Sequence, residues 1–449
     1  MHNNYSILFC IFYFFLFFTP TNSNAKIIVN NINRPSLLSS KTDSTFFIYL
    51  QNNYFWNIDS KYSNKIGKIG FGGVGKYKKL NFKQELFYSA YESVFYVKSE
   101  ELFLDYKPWF IGQKKHLWSW ADSVWKNNLW QAEFYQNPSQ PVSMGLLGLH
   151  LQKQYNKMSY YVFFSPVFLP RYSSNISIKS NLIRSFTPWL HSVPVQFNNL
   201  PIQYKVDKFS TIKLIAKNSI AFQIKYKADS KVFINSAFSY KPSNFIFIGL
   251  KPALSADALN VNIKPYAITE SLATIETGVK KEFWSLLLSS SYRAYKKKKV
   301  EKDYFFDKLS NVFLYNIYYS IKNNQGHSIF TSYQKVSGYK KKSYNEYIEL
   351  QESLFSYIYN YLDAVTAGVI VNNFFNILGS EYKLQVTYDF KQKASMLSSN
   401  LLWKIKPQVR LLLNVTNFYK SKKAEYNSNF FLHKFSNNNF IQVGVKYEF

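Results

Sequence analysis

Residues 440–449 read Phe440-Ile-Gln-Val-Gly-Val-Lys-Tyr-Glu-Phe449. Ile441, Val443, Val445, Tyr447 and Phe449 alternate with Gln442, Gly444, Lys446 and Glu448. Successive side chains of a strand point to opposite faces, so this stretch is a strand with one apolar face and one polar face. It ends on Phe449 with no residue to spare. A strand that closes a cylinder against its first strand has that form.

The same period of two recurs upstream. Ile220, Phe222, Ile224 and Tyr226 alternate with Ala221, Gln223, Lys225 and Lys227. Tyr382, Leu384, Val386, Tyr388 and Phe390 alternate with Lys383, Gln385, Thr387, Asp389 and Lys391. Similar stretches fall near 80–91, 102–106, 146–154, 232–240, 259–264, 346–356 and 409–419. Each runs near ten residues, the length of a tilted strand that crosses a membrane. A soluble sandwich alternates too, but these stretches occupy nearly the whole chain and few segments of helical period lie between them. After residue 25 no run reaches the ~18 apolar residues of a membrane helix. The rhythm predicts an all-β chain: a single transmembrane antiparallel β-barrel over 43–449, with roughly 14 to 18 strands and an even number expected.

The terminal decapeptide resembles the C-terminal assembly signal of Gram-negative outer-membrane β-barrel proteins, in which alternating apolar residues lead to a final aromatic. The resemblance implies that Ile441, Val443, Val445, Tyr447 and Phe449 are read by the barrel assembly machinery. A second run, Phe110-Ile-Gly-Gln-Lys-Lys-His-Leu-Trp-Ser-Trp, looks like the strand-then-Trp segment of porin-like barrels, with Ser119 standing where that pattern has Gly. No more specific family is recognised.

The N-terminus agrees with export. Ile7 to Phe18 is an unbroken apolar run, the length of a signal-peptide core and short of a spanning helix. Ser23 and Ala25 supply small residues at −3 and −1, so cleavage is expected after Ala25. The leading residues lack Lys and Arg, which leaves an uncleaved anchor as the alternative. The expected organisation is a signal peptide over 1–25, a periplasmic lead over 26–42 and the barrel over 43–449. Cys10, the only cysteine, falls in the signal peptide. The mature chain would then hold no disulfide and no thiolate metal site.

Aromatic residues make up 20% of the chain, with 37 Tyr, 42 Phe and 9 Trp. Mean hydropathy is nevertheless −0.23. Such a load needs half-buried positions, and the interfacial girdles of a membrane barrel provide them. The net charge is +29, and 50 of the 55 basic residues are Lys. Phosphate recognition favours the Arg fork; Lys and Asn without Arg point instead to an AT-biased genome. The field still favours anions and anionic head groups. Nucleic acid is not an expected partner, given the export signal, the scarcity of Arg and the spread of charge along the chain.

Two stretches break the strand rhythm. Residues 117–143 carry Trp118, Trp120, Trp125 and Trp130, and 170–210 carries Pro170, Pro188, Pro194 and Pro201. The second is too long for a turn and too Pro-rich for a strand, so it is expected to be a constriction or plug loop, or otherwise a surface loop. Lysine clusters at 296–299, 340–342 and 420–423 would contact lipopolysaccharide phosphates if they face outward, and are otherwise solvated loop tips. Residues 419–439, which precede the last strand, are expected outside the cell.

Chemistry is sparse. Gly70, Gly72 and Gly75 fit G-x-G-x-x-G, but strand rather than helix follows, which argues against a dinucleotide site. The six histidines show no metal spacing, and no G-x-S-x-G elbow occurs. His150, between Leu149 and Leu151, is the histidine placed to face a lumen. Glu100 and Glu101 are adjacent and so are expected on opposite faces. No cofactor, metal or catalytic residue is expected, and the chain is not expected to be an enzyme. The function expected is a porin-like channel of the cell outer membrane, passing small solutes with a possible preference for anions. The alternatives are a surface barrel acting as adhesin or structural anchor through its loops, and an outer-membrane hydrolase. Membrane lipid and lipopolysaccharide are the expected surroundings.

Overall fold

The computed structural model describes residues 44–56, 65–90, 92–173, 176–179, 182–185, 189, 196–197, 199–229, 231–296, 304, 311–338, 358–374, 377–421 and 430–449. The expected signal peptide, its cleavage at Ala25, the 26–42 lead and the 346–356 strand lie outside them.

Eighteen strands form the wall, numbered here without the short pairings inside the loops. They are β1 (Ser44–Trp56), β2 (Lys65–Tyr77), β3 (Leu80–Ser89), β4 (Val94–Tyr106), β5 (Trp109–Lys114), β6 (Leu146–Tyr155), β7 (Met158–Ser165), β8 (Ser219–Lys227) and β9 (Val232–Leu254). The second half comprises β10 (Leu259–Lys280), β11 (Trp284–Tyr295), β12 (Val312–Lys322), β13 (Ser328–Ser337), β14 (Asp363–Asn372), β15 (Glu381–Asp389), β16 (Ala394–Lys404), β17 (Val409–Lys420) and β18 (Asn439–Glu448). Each strand pairs antiparallel with the next. The circle closes where β1 pairs with β18, Phe47 opposite Glu448 through Trp56 opposite Asn439. Closure of the circle removes the free edges that an open sheet of these strands would expose.

Connections differ between the two ends. At one end short turns span 78–79, 107–108, 156–157, 228–231, 281–283, 323–327, 373–380 and 405–408. At the other end are 57–64, 90–93, 255–258 and 390–393, together with the long segments 115–145, 166–218, 296–311, 338–362 and 421–438. The expected outer segment 419–439 falls at this long-loop end.

The wall is inverted relative to a soluble protein. Ile48, Leu50, Ile69, Phe95, Val97, Ile220, Phe238, Ile275, Leu286, Ile317 and Ile329 are exposed on its outside. Gln223, Asn235, Ser239, Glu270, Glu276, Arg293, Asn316, Gln334, Asp389 and Thr416, on the alternate positions, are buried within. Water outside would penalise this arrangement; hydrocarbon outside demands it. The fold is a barrel built to span a bilayer.

Gly70, Gly72 and Gly75 sit inside β2, as strand residues. A Cβ at Gly70 would lie 2.5 Å from the Tyr49 ring and one at Gly72 2.5 Å from the Phe47 ring. The glycines let two β1 aromatics lie flat across their neighbour, and no helix follows to aim at a phosphate.

Adjacency does not separate Glu100 from Glu101. The β3–β4 register jumps from Lys83–Glu101 to Gln84–Ser99, which leaves Glu100 as a bulged extra residue. Both carboxylates therefore reach Lys115: its Nζ lies 2.5 Å from Glu100 Oε2, and its amide donates to Glu101 Oε1 at 2.9 Å.

Candidate functional site

Strand β5 stops after six residues at Lys114, and the next wall strand starts at Leu146. The intervening chain turns into the barrel. Its four tryptophans (Trp118, Trp120, Trp125 and Trp130) are all buried, Trp118 and Trp130 at 1% exposure. These two rings stack at 5.1 Å and 7°. The short helix α1 (Trp120–Trp125) is fixed by its own polar residues: Ser119 Oγ accepts from the Asp122 amide at 3.1 Å. Asp122 Oδ1 and Oδ2 accept from the amides of Leu129 and Trp130, both at 3.1 Å, and fold the chain back on itself.

The wall holds this segment on several sides. Glu276 on β10 accepts from Ser119 Oγ at 2.6 Å and Asn235 Nδ2 at 2.9 Å, and more weakly from the amides of Trp120 and Ala121. Gln223 and Asn235 each donate to the Trp118 carbonyl at 2.9 Å. Trp125 Nε1 donates to Ser332 Oγ at 3.0 Å, and Asn127 Nδ2 to Gln334 Oε1 at 2.7 Å, both on β13. Gln140 reaches Asn400 on β16 at 3.4 Å. The segment thus crosses from β5 to the far wall.

A second anchor lies at a bulge in β9, where pairing with β10 skips between Pro242 and Ile246. Asn244 there donates to the Asn128 carbonyl at 2.7 Å, and Lys241 Nζ to Asn244 Oδ1 at 2.8 Å. Glu270 accepts from Arg293 at 2.6 Å and from Lys241 at 3.2 Å. Arg293 Nη1 also donates to the Tyr359 hydroxyl at 3.2 Å, which brings the 338–362 connection into the same network. All three ionised groups are buried, and their mutual bonds offset the desolvation.

Among the described residues the lumen is filled by 115–145, while much of 170–210, expected as a constriction or plug loop or otherwise a surface loop, lies outside them. The 31 residues of 115–145, with four large rings, cannot be solvated between two short strands, and the lumen is where they bury. The described parts of 170–210 make contacts of their own. Tyr172–Ser173 pairs with Phe134 and Tyr135, Trp189 packs with Phe55, Phe435 and Phe440, and Leu200–Val206 extends the wall parallel to β10.

Burial sets the charge state of the inserted segment. It pushes the Asp122 carboxyl up against the pull of its two amide donors, and pushes Glu133 up to about 8 against the pull of Arg171. It draws His116 down to about 3, although a 2.6 Å contact to Gln223 Oε1 opposes the shift. His116 stacks on Tyr161 at 3.4 Å. His150 does face inward, but its neighbours are the Tyr161 hydroxyl at 2.9 Å and the Leu146 carbonyl at 3.0 Å. These contacts pack the ring against the wall. Among the described residues no group of His, Cys, Asp and Glu could hold a metal ion.

Part of the inner wall is neutralised in pairs: Lys83, Lys98 and Lys115 with Glu100, Lys98 also with Glu85, and Arg410 and Lys446 with Glu448. Of the terminal residues, Val443, Val445, Tyr447 and Phe449 are exposed on the outer face. Among the sequence's lysine clusters Lys296 and Lys420 are described, both at the long-loop end; Lys297–Lys299, Lys340–Lys342, Lys422 and Lys423 lie outside the described residues. The anchors Glu276, Asn244 and Arg293 were missed in the sequence, where each looks like an ordinary polar strand position.

No protein-family model matches the chain, and no curated protein matches it. Several solved structures share its outline at low similarity. OccK11 (OpdR) of Pseudomonas aeruginosa is 8% identical, with 90% of this chain and 95% of that one covered and a TM-score of 0.45. OccAB4 of Acinetobacter baumannii is 10% identical, with 91% and 99% covered and a TM-score of 0.44. A mutant of the Rh. blastica porin is 10% identical, with 91% and 100% covered and a TM-score of 0.38.

Proposed function

We propose that this chain is an outer-membrane channel for small solutes, its bore narrowed by the segment 115–145. The observation that carries the reading is the inverted wall: exposed apolar residues outside, buried polar residues within, and an inserted segment held by the inward-facing ones. Wide barrels with polar lumens conduct water and solutes. Short turns at one end and long connections at the other support reading the first as the periplasmic side and the second as the outer side. The lysine excess supports an anion preference.

The remaining assignments belong to the same proposal. A signal peptide cleaved after Ala25 exports the chain, and the assembly machinery reads Ile441, Val443, Val445, Tyr447 and Phe449. Lysines at the outer end, Lys296 and Lys420 among them, contact lipopolysaccharide phosphates. No catalytic role is proposed. A surface barrel that works through its loops is the second reading, and it is favoured by one observation: the inserted segment is bonded to β8, β9, β10, β13 and β16.

Single-channel recording of the refolded chain in a planar bilayer tests this, with a reversal potential taken across a salt gradient. Stable steps displaced to the anion side are expected. Silence from protein with heat-modifiable β-structure would overturn the channel and leave the surface barrel.

A further inference from the structure

Toward the short-turn end from α1, the inner wall changes character. Lys225 on β8 and Lys280 on β10 both lie over the Phe233 ring of β9, their Nζ atoms 5.0 and 5.5 Å from its centre. Unlike the pairs on β2–β5 and β17–β18, neither has a carboxylate within ion-pair distance among the described residues. The acid on the same cross-strand row, Glu276, is taken up by Ser119, Asn235 and the start of α1. Next along the wall, Ser285 of β11 stands opposite Lys280, and Ser320 of β12 stands opposite Ser285. Their hydroxyls are 2.8 Å apart. One proton joins the pair and the other is left to donate. Lys225, Ser285 and Ser320 are half-buried and Lys280 is exposed at the strand end, so the group is desolvated in part yet reachable from the lumen.

Two ammonium groups over one ring repel each other, and a negative guest relieves that repulsion. Charge-assisted hydrogen bonds from Lys and a hydroxyl donor suit an oxyanion. We infer that Lys225, Lys280, Ser285 and Ser320 form an oxyanion subsite on the lumen wall, for the carboxylate or phosphate of a small solute. The inference rests on the channel reading for how the solute arrives and deepens it by naming what the wall takes. The Phe233 floor, packed with Trp120 and Leu287, keeps the site partly dry and strengthens the attraction.

Calorimetric titration of the refolded barrel with inorganic phosphate, and separately with benzoate, tests it without requiring conduction. The double variant Lys225→Gln/Lys280→Gln should bind the preferred probe at least tenfold more weakly, and Ser285→Ala/Ser320→Ala should bind it several-fold more weakly. Lys391→Gln, in the 390–393 turn at the other end, should change nothing. Binding of one probe and not the other identifies the oxyanion. Neither probe binding, or equal loss from Lys391→Gln, overturns the subsite. Should the lysine variant not fold, the serine pair alone decides. A barrel that binds but never conducts refutes the channel and keeps the subsite; one that conducts with unaltered binding in the variants does the reverse.

Discussion

Phe46 and Phe449 bind each other twice through the main chain: the Phe46 amide donates to the Phe449 carbonyl at 3.1 Å, and the Phe449 amide to the Phe46 carbonyl at 2.9 Å. The last residue thus closes the wall onto the start of β1. Its ring also stacks on Phe46 and Phe71, each at 6.4 Å. Deleting Phe449 should remove both bonds and all ring contacts, and should sharply lower the yield of heat-modifiable barrel on semi-native gels. Phe449→Ala keeps the backbone bonds and should cost about 1–2 kcal/mol, the worth of a few aromatic pairs.

Ile275 is 63% exposed on the outer face of β10. In water Ile275→Arg would be harmless. In a bilayer it should destabilise the barrel by about 2–4 kcal/mol if it lies near the midplane. Urea unfolding in phospholipid vesicles measures the difference, and an unchanged midpoint would place this face outside the hydrocarbon.

Glu276 joins the inserted segment to the wall. Glu276→Ala leaves Ser119 and the α1 amides without their acceptor, a loss of about 1–3 kcal/mol for each buried group stranded. The segment should detach more often, with larger and noisier single-channel steps than the parent shows.

Arg293 and Glu270 are both fully buried. Arg293→Met leaves Glu270 with Lys241 alone and should cost about 3–5 kcal/mol, whereas replacing Arg293, Glu270 and Lys241 together with apolar residues of similar volume should come close to neutral. Denaturant midpoints of the single and triple variants separate the two outcomes.

Glu133 is held protonated at neutral pH, its carboxyl pushed up to about 8 by burial. A folded-state value above the unfolded one means that its contribution is complete below about 4.5 and is lost as pH rises through about 8. Glu133→Gln should therefore raise thermal stability at pH 8.5 and leave it nearly unaltered at pH 4. Equal effects at both values would show that the carboxyl ionises freely.

The sequence alone determined the wall. A period of two reports which face of each strand is apolar, and it needs no knowledge of partners, so β8, β15, β17 and β18 were readable, with the even strand count and the meeting of the last strand with the first. The interior belonged to the tertiary structure. Nothing in Ser119, Asn128 or Glu276 announces that 157 positions in sequence separate a hydrogen-bonded donor and acceptor, because such bonds depend on which inward faces the closed circle sets opposite each other. The same holds for the filling of the lumen. Composition marked both 117–143 and 170–210 as irregular, but only the shortness of β5 and the room inside the closed wall decided that the tryptophan segment goes in. The β4 bulge makes the point at the scale of one residue: alternation separates Glu100 from Glu101, and a slip in register against β3 brings both to Lys115.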